Sequence, residues 1–405
     1  MRPLVRVDSA DPLRLRDALA SALDGTGPAV QPVDEGAAPL SVSSLSPLGE
    51  AGIEEVPDDV AVVLATSGSS GYPKRVALSS SALLASAGAT EAALGGPGRW
   101  VLAMPAHYVA GVQVLVRSIV AGTDPVPLSG GRFSADAFVD AARTARDGGI
   151  RSYSALVPAQ VSRLLEHSAG RSAMASIDAV IVGGQAVPMS LRERAAEAGV
   201  RLIRTYGSSE TAGGCVYDGR SLDGVDVRIV GGQIEIGGAT LAAGYLDDAE
   251  RTATAFHEVD GRRWFRTGDA GTMRDGVLEV LGRLDNVVVS GGVNVSLDRV
   301  ESVVRDRAGF GEAVVVGVPD DRWGAVPVVV VGGTSDRGDD ARTTATTAFD
   351  ALRAAVAEQL GVAARPARLV VLDALPLLAT GKPDRRAIAD FATSRTGAER
   401  RPADG

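Results

Sequence analysis

From Val60 onward, short apolar runs alternate with amphipathic or Ala-rich stretches, and this alternation constrains the fold more than any other feature of the chain. Runs at Val60–Ala65, Trp100–Met104, Arg151–Val157, Ala179–Val182 and Arg201–Thr205 read as buried strands. Stretches at Ser79–Ala93, Val112–Ala121, Pro158–Glu166 and Leu191–Ala198 read as helices. Apolar strands separated by helices predict an α/β fold with a mainly parallel sheet covered on its faces. From Val225 the pattern shortens to closely spaced strands (Val225–Val230, Gln233–Gly237, Trp264–Arg266, Val277–Val280, Val287–Val289), which predicts a β-rich subdomain. After Gly282-Arg283-Leu284-Asp285 come a helix at Leu297–Arg307, strands at Ala313–Pro319 and Val326–Gly332, a helix at Ala348–Leu360 and a strand at Arg368–Leu372. The expected organisation is a large domain over residues 1–283, a small α+β domain over 284–395 and a flexible tail over 396–405. Residues 1–55 are weakly patterned apart from a helix at Pro12–Leu23.

Composition removes several function classes. Of 405 residues, 45% are hydrophobic and 22% charged, which fits a globular chain and excludes wholesale disorder. The longest apolar runs fall far short of the ~20 residues of a membrane-spanning helix, and no basic-then-apolar leader opens the sequence. A single cysteine, Cys215, allows no internal disulfide, which points to a reducing cytoplasm. The net charge of −9 argues against broad nucleic-acid binding. Homo-oligomers are compatible with the sequence.

Of 41 basic residues only two are lysine, Lys74 and Lys382. GC-rich coding swaps lysine for arginine where a point charge alone matters, so these two are candidates for places where a compact ammonium does what a planar guanidinium cannot, the alternative being chance survival. Lys74 closes the segment Ala65-Thr66-Ser67-Gly68-Ser69-Ser70-Gly71-Tyr72-Pro73-Lys74 directly after a strand. Hydroxyls and backbone N–H groups there suit an anionic oxygen cluster. The loop is not a Walker A motif: two residues separate Gly71 from Lys74, and no Ser or Thr follows the lysine.

This loop resembles the phosphate-binding signature of the adenylate-forming superfamily of acyl-CoA synthetases, luciferases and peptide-synthetase adenylation domains. Further signatures follow in order: Thr205-Tyr206-Gly207-Ser208-Ser209-Glu210-Thr211, then Thr267-Gly268-Asp269, then Gly282-Arg283-Leu284-Asp285 with Ser290-Gly291-Gly292-Val293-Asn294 and Glu301, and last Thr380-Gly381-Lys382 with Arg385. They span residues 66 to 385, and five ordered signatures are far more specific than any one. Arg75 and Ser70 depart from the glycine and threonine usual at their positions, which leaves the fine geometry of the loop open.

The resemblance implies the site. Thr66, Ser67, Gly68, Ser69, Ser70, Gly71 and Lys74 would hold the β- and γ-phosphates of ATP, and Glu210 would hold Mg2+. Asp269 would bind the ribose, with Tyr206 over the adenine and Arg283 against the nucleotide. Gly207, Ser209 and Thr211 would frame the nucleotide, Gly184 and Gln185 would approach adenine or acyl group, and Ser208 would line the acyl site. Asp285 would be the hinge, Gly291 and Gly292 would serve the coenzyme A half-reaction, and Lys382 would stabilise the reacting α-phosphate. Read without the resemblance, Tyr206 fits a core tyrosine as well, Glu210 a solvated loop acid, Asp269 a turn-forming acid and Lys382 a basic surface turn.

The acid is read from Pro105-Ala106-His107-Tyr108 and the segment running to Arg117. A His, a small-residue turn and an Arg one helix later resemble the o-succinylbenzoate–CoA ligases of menaquinone synthesis. Their substrate is a dicarboxylate of which one end is activated, so the other needs a cationic or hydrogen-bonding partner. Arg117 is the candidate for that partner, and His107 for a catalytic or wall position near the acyl chain. Three alternatives stay open: a ligase for another carboxylic acid, an enzyme loading a carrier protein, and a nucleotide-binding protein without turnover.

Overall fold

The computed structural model describes residues 1–34, 36, 54–67, 73–333, 339–378 and 382–398. Among them, strands assemble into four sheets. In the seven-stranded sheet the strands Val126–Pro127, Gly98–Leu102, Arg151–Leu156, Ala179–Val182 and Leu202–Ser208 lie side by side and parallel, as the alternation predicts. Two antiparallel strands, Gly213–Tyr217 and Arg220–Ser221, extend it.

The six-stranded sheet corrects the expectation of mainly parallel pairing. Its order is Gly244–Tyr245, Pro73–Ser79, Val60–Ser67, Ala29–Val33, Arg2–Asp8, Glu55–Val56, and only the pairs joining Val60–Ser67, Ala29–Val33 and Arg2–Asp8 are parallel. The chain after Lys74 continues as a strand before the helix Ser80–Leu94 begins, so the Ser/Gly loop joins two antiparallel strands (Thr66 opposite Lys74). The weakly patterned start also hides a strand, Arg2–Asp8, whose Arg2 and Arg6 break the apolar run.

Between these two sheets lie the helices Pro12–Leu23, Ser80–Leu94 and Val109–Val120, which contribute Leu15, Leu19, Leu83, Ala87, Val112 and Leu115 to one shared core. A second core, with Phe138, Val161, Leu164 and Met174, covers the other face of the seven-stranded sheet. A largely antiparallel sheet follows, in which Thr267-Gly268-Asp269 sits inside a long strand, Arg262–Arg274, where only Trp264–Arg266 had a strand signature. The polar residues 267–269 carry no apolar alternation, which is why the strand outruns its pattern.

The last sheet joins Val293–Ser296, Val287–Ser290, Gly324–Gly332, Val314–Asp320 and Arg368–Leu372. The two cores on its faces draw on residues from Val288 to Ala392. The helix Leu297–Arg305 starts where Ser296 accepts from the Arg299 N–H. The terminal helix Arg385–Ala398 runs into the segment expected to be a tail, whose last residues, 399–405, lie outside the described ones. No helix among the described residues is long and apolar enough to cross a membrane.

Candidate active site

The strand Leu202–Ser208 ends at the edge of the parallel sheet where α/β proteins bind ligands. Its continuation must turn sharply. A Cβ on Gly207 would collide with the Gly213 carbonyl, and Ala212 adopts a left-handed conformation (φ 50°). The Thr211 hydroxyl accepts from the Ser208 N–H at 2.9 Å and donates to the Gly213 carbonyl at 2.7 Å, fixing the short helical turn Ser209–Thr211. That turn buries Glu210, only 3% exposed.

Glu210 is ion-paired with Lys74, and the Tyr245 hydroxyl donates to the same oxygen, Oε1, at 2.8 Å. Burial alone would raise the Glu210 carboxyl, but the Lys74 ammonium beside it more than offsets this and holds it below the usual carboxylate range. Lys74 also lies 5.1 Å from the Tyr245 ring centroid and donates to its hydroxyl at 3.4 Å. Tyr245 was not legible as a site residue, because Gly244-Tyr245 is a two-residue strand without a periodic pattern. Thr66 donates to the Lys74 carbonyl at 3.4 Å. Gly68, Ser69, Ser70 and Gly71 lie outside the described residues, as does the side chain of Ser67.

A second cluster forms around Asp269. The Tyr206 hydroxyl donates to its Oδ2 at 2.6 Å, and Arg283 approaches Oδ1 at 3.4 Å. Desolvation raises the Asp269 carboxyl despite these partners, and raises the Tyr206 phenol further. Arg283 donates to the Thr267 carbonyl at 2.9 Å and forks onto both carboxylate oxygens of Asp285 at 3.0 Å. That fork holds Asp285 below its usual range. The expected hinge residue is thus clamped to a residue of the nucleotide cluster.

Lys382 reaches this cluster from the far end of the chain. Desolvation of its ammonium lowers its pKa, while the Asp269 carboxylate opposes that depression. A Cβ at Gly184 would lie 3.5 Å from Lys382 Cε, so a glycine in its left-handed conformation (φ 81°) leaves the lysine its path. The neighbouring Gln185 carboxamide accepts from Arg305 at 3.3 Å, and the Met189 N–H donates to Asp306 at 2.9 Å. Arg305 also pairs with Glu301 at 3.0 Å, and Glu301 in turn takes Arg385, three residues past Lys382, at 2.8 Å.

The helix Val109–Val120 carries the acyl-side candidates. Arg117 is 5% exposed and stacks over Trp100 at 4.9 Å. No acidic side chain among the described residues pairs with it, and burial pushes its guanidinium down. His107 sits at the start of this helix, hydrogen-bonded through Nδ1 to Ser9 at 3.0 Å and packed on Tyr108, with its imidazole lowered by burial. Gly291 lies against the Trp323 ring and donates its N–H to the Trp323 carbonyl at 2.9 Å, while Gly292 faces open space.

The structure brings the expected residues together in two clusters, Lys74–Glu210 and Tyr206–Asp269–Arg283–Lys382, while Arg117 on the helix Val109–Val120, His107 before it, and Gly291 and Gly292 beside Trp323 stand outside both. Residues 8–246 match the AMP-binding enzyme family, and residues 299–382 match the AMP-binding enzyme C-terminal domain. The chain belongs to the AMP-binding enzyme family. A probable 2-succinylbenzoate–CoA ligase of Mycobacterium tuberculosis is 42% identical over 381 residues, covering 92% of this chain and 94% of that protein. The 2-succinylbenzoate–CoA ligase of Listeria monocytogenes is 29% identical over 353 residues, covering 82% and 70%. Among solved structures, an amide bond synthetase from Marinactinospora thermotolerans aligns with TM-score 0.71 and 28% identity over 96% of this chain and 80% of that one. The Bacillus subtilis o-succinylbenzoate CoA synthetase in complex with its acyl-adenylate intermediate aligns with TM-score 0.70 over 92% and 80%, at 24% identity. Within the AMP-binding family this chain thus has the two-part fold of enzymes that make acyl-adenylates.

Proposed function

We propose that the chain is an ATP-dependent, AMP-forming o-succinylbenzoate–CoA ligase acting in menaquinone synthesis. In the first half-reaction a carboxylate oxygen of the acid attacks the α-phosphorus of ATP. The new acyl–phosphate bond forms as the bond to the β-phosphate oxygen breaks, and pyrophosphate leaves. Lys382 stands where the negative charge concentrates, and a preformed ammonium in a dry site is effective there. The phosphates would add to the counter-charge that the Asp269 carboxylate gives Lys382. Lys74 and the Thr66–Gly71 loop hold the outer phosphates, Asp269 takes the ribose hydroxyls, and Tyr206 and Arg283 fix the Asp269 carboxylate.

The described residues contain no group of three or more His, Cys, Asp or Glu that could cage a metal. They do contain a buried carboxylate beside Lys74, Glu210, whose Lys74 and Tyr245 partners both engage Oε1. That donor set fits Mg2+ arriving with the nucleotide phosphates. When bound, Mg2+ supplies charge neutralisation on the leaving pyrophosphate.

In the second half-reaction residues 284–395 turn about Asp285, withdraw Lys382 and bring Gly291 and Gly292 toward the acyl-adenylate. The coenzyme A thiolate then attacks the acyl carbon and AMP leaves.

One observation carries the choice of acid: Arg117, a buried guanidinium with no carboxylate partner, suits the second carboxylate of a dicarboxylic acid. The test is acid-dependent ATP–pyrophosphate exchange with o-succinylbenzoate, benzoate, succinate and a fatty acid. Strong exchange with o-succinylbenzoate alone is expected. Exchange with another acid instead would keep the adenylation chemistry and reject the substrate. ATP binding without exchange for any acid would reject catalysis. Thioester formation with coenzyme A, against amide formation with an added amine, separates a ligase from an amide bond synthetase.

A further inference from the structure

Around Arg117 the buried polar side chains have found partners. Ser86 donates to the Ala212 carbonyl at 3.0 Å, Thr90 and Tyr217 share a 3.0 Å hydrogen bond, and Ser118 donates to the Val114 carbonyl at 2.9 Å. Gln113 has not. It is 1% exposed, and neither its Oε1 nor its Nε2 has a partner. Leaving a buried carboxamide unpaired is costly, and its neighbours Val112, Val114, Leu115 and Val116 show that this helix accepts apolar residues readily.

The position of Gln113 says what it awaits. It precedes Arg117 by one helical turn, so the two share a face, and the arginine side chain leans back toward it. Its Cγ lies 3.3 Å from where a Cβ on Gly213 would stand, and Gly213 pairs with Ser208 across the strand pair that carries Glu210. The helix starts at the carboxyl edge of the parallel sheet and runs away from it. Gln113 therefore stands about 6 Å closer along the helix axis to that carboxyl edge than Arg117.

o-Succinylbenzoate has the same order of groups: the activated carboxylate, two methylenes, an aryl ketone, then the ring with its second carboxylate. We infer that Gln113 is a specificity-determining residue whose Nε2 donates to the aryl ketone oxygen while Arg117 takes the ring carboxylate. This rests on the o-succinylbenzoate reading above. The pair measures both the identity and the spacing of two acceptors, so an acid with the carboxylate but no ketone leaves the carboxamide buried and unpaired.

The experiment compares o-succinylbenzoate with 4-(2-carboxyphenyl)butanoate, in which a methylene replaces the ketone, in pyrophosphate exchange. The wild-type enzyme should prefer the ketone by about tenfold in kcat/KM, the ratio one hydrogen bond commonly gives. Gln113→Leu should raise KM for o-succinylbenzoate by about that factor, leave KM for the methylene acid unchanged, and so erase the preference. Arg117→Gln should weaken both acids and keep it. Gln113→Met serves if the leucine variant does not fold. A preference that survives in Gln113→Leu, or an equal loss for both acids, overturns the inference. A wild-type enzyme inactive on o-succinylbenzoate overturns the substrate reading beneath it.

Discussion

The nucleotide end and the acyl end of this site are built on opposite principles. At the nucleotide end every charge has a partner: Lys74 with Glu210 and Tyr245, Asp269 with Tyr206 and Arg283, Arg283 with Asp285. At the acyl end a buried guanidinium has the Trp100 ring but no carboxylate, and a buried carboxamide has no partner. On the proposed function, the first end is held together by itself and would exchange partners when a nucleotide arrives, and the second would be completed by its ligand. Stability and activity should therefore respond in parallel to substitutions at the first end and in opposition at the second.

The largest effect belongs to the lysine that joins the two. Lys382→Ala should lower pyrophosphate exchange about 10³-fold, the scale of losing one charge-stabilising donor. Thioester formation from supplied acyl-adenylate should change little. Measuring both half-reactions on one preparation tests this, and equal losses would remove the two-orientation scheme.

Glu210→Gln should cost roughly 10²-fold in exchange and also lower the thermal midpoint, because Lys74 loses its counter-ion. The stability loss has a definite pH dependence. Glu210 titrates below its ordinary value in the folded chain, so the pair stabilises above the unfolded carboxylate pKa and is lost as pH falls through the folded one. The midpoint difference between wild type and Glu210→Gln should be full at neutral pH and close on acidification below about 4. A gap that widened there would contradict the lowered carboxyl.

Arg117→Met is the counterpart at the acyl end. It should raise KM for o-succinylbenzoate about thirtyfold, as loss of one partner of a desolvated charge pair does. The same change should raise the thermal midpoint by roughly 2–4 °C, because an uncompensated buried charge gives way to an apolar side chain. Weaker binding with lower stability would show that Arg117 is a structural cation and would erase the contrast.

How much of this was legible in the sequence follows the same division. Strands and helices carried by apolar periodicity, such as Pro12–Leu23, Ala179–Val182 and Arg368–Leu372, stand where the pattern placed them. Elements held by partners far away in sequence did not announce themselves. Arg2–Asp8 is a strand because it pairs with Ala29–Val33, and Pro73–Ser79 because it pairs with Val60–Ser67. The nucleotide residues were legible because short motifs carry them. Tyr245 and Gln113 were not, since Tyr245 takes its meaning from Glu210 and Lys74, 35 and 171 positions away in the chain, and Gln113 from the lack of a partner. A buried glutamine among valines was the visible signal for the second.

The smallest effect tests how the small part of the chain is seated. The turn after Val182 touches it at three points: Gly184 beside Lys382, Gln185 with Arg305, and the Met189 N–H with Asp306. Arg305 is tied through Glu301 to Arg385, and Arg385 opens the helix that follows Lys382. A contact made only while Lys382 occupies the site favours adenylation over thioester formation, since a ligand or contact shifts an equilibrium by its differential affinity for the two states. Gln185→Ala and Asp306→Ala each delete one such contact without touching the Glu301–Arg385 tie. One lost hydrogen bond should lower exchange by about fivefold and leave thioester formation from supplied acyl-adenylate unchanged or slightly faster. The double variant should lose about the product of the two, because the contacts are separate in the chain. Equal slowing of both half-reactions would mean that these contacts merely hold the fold. No slowing of either would mean that Lys382 finds its place without them.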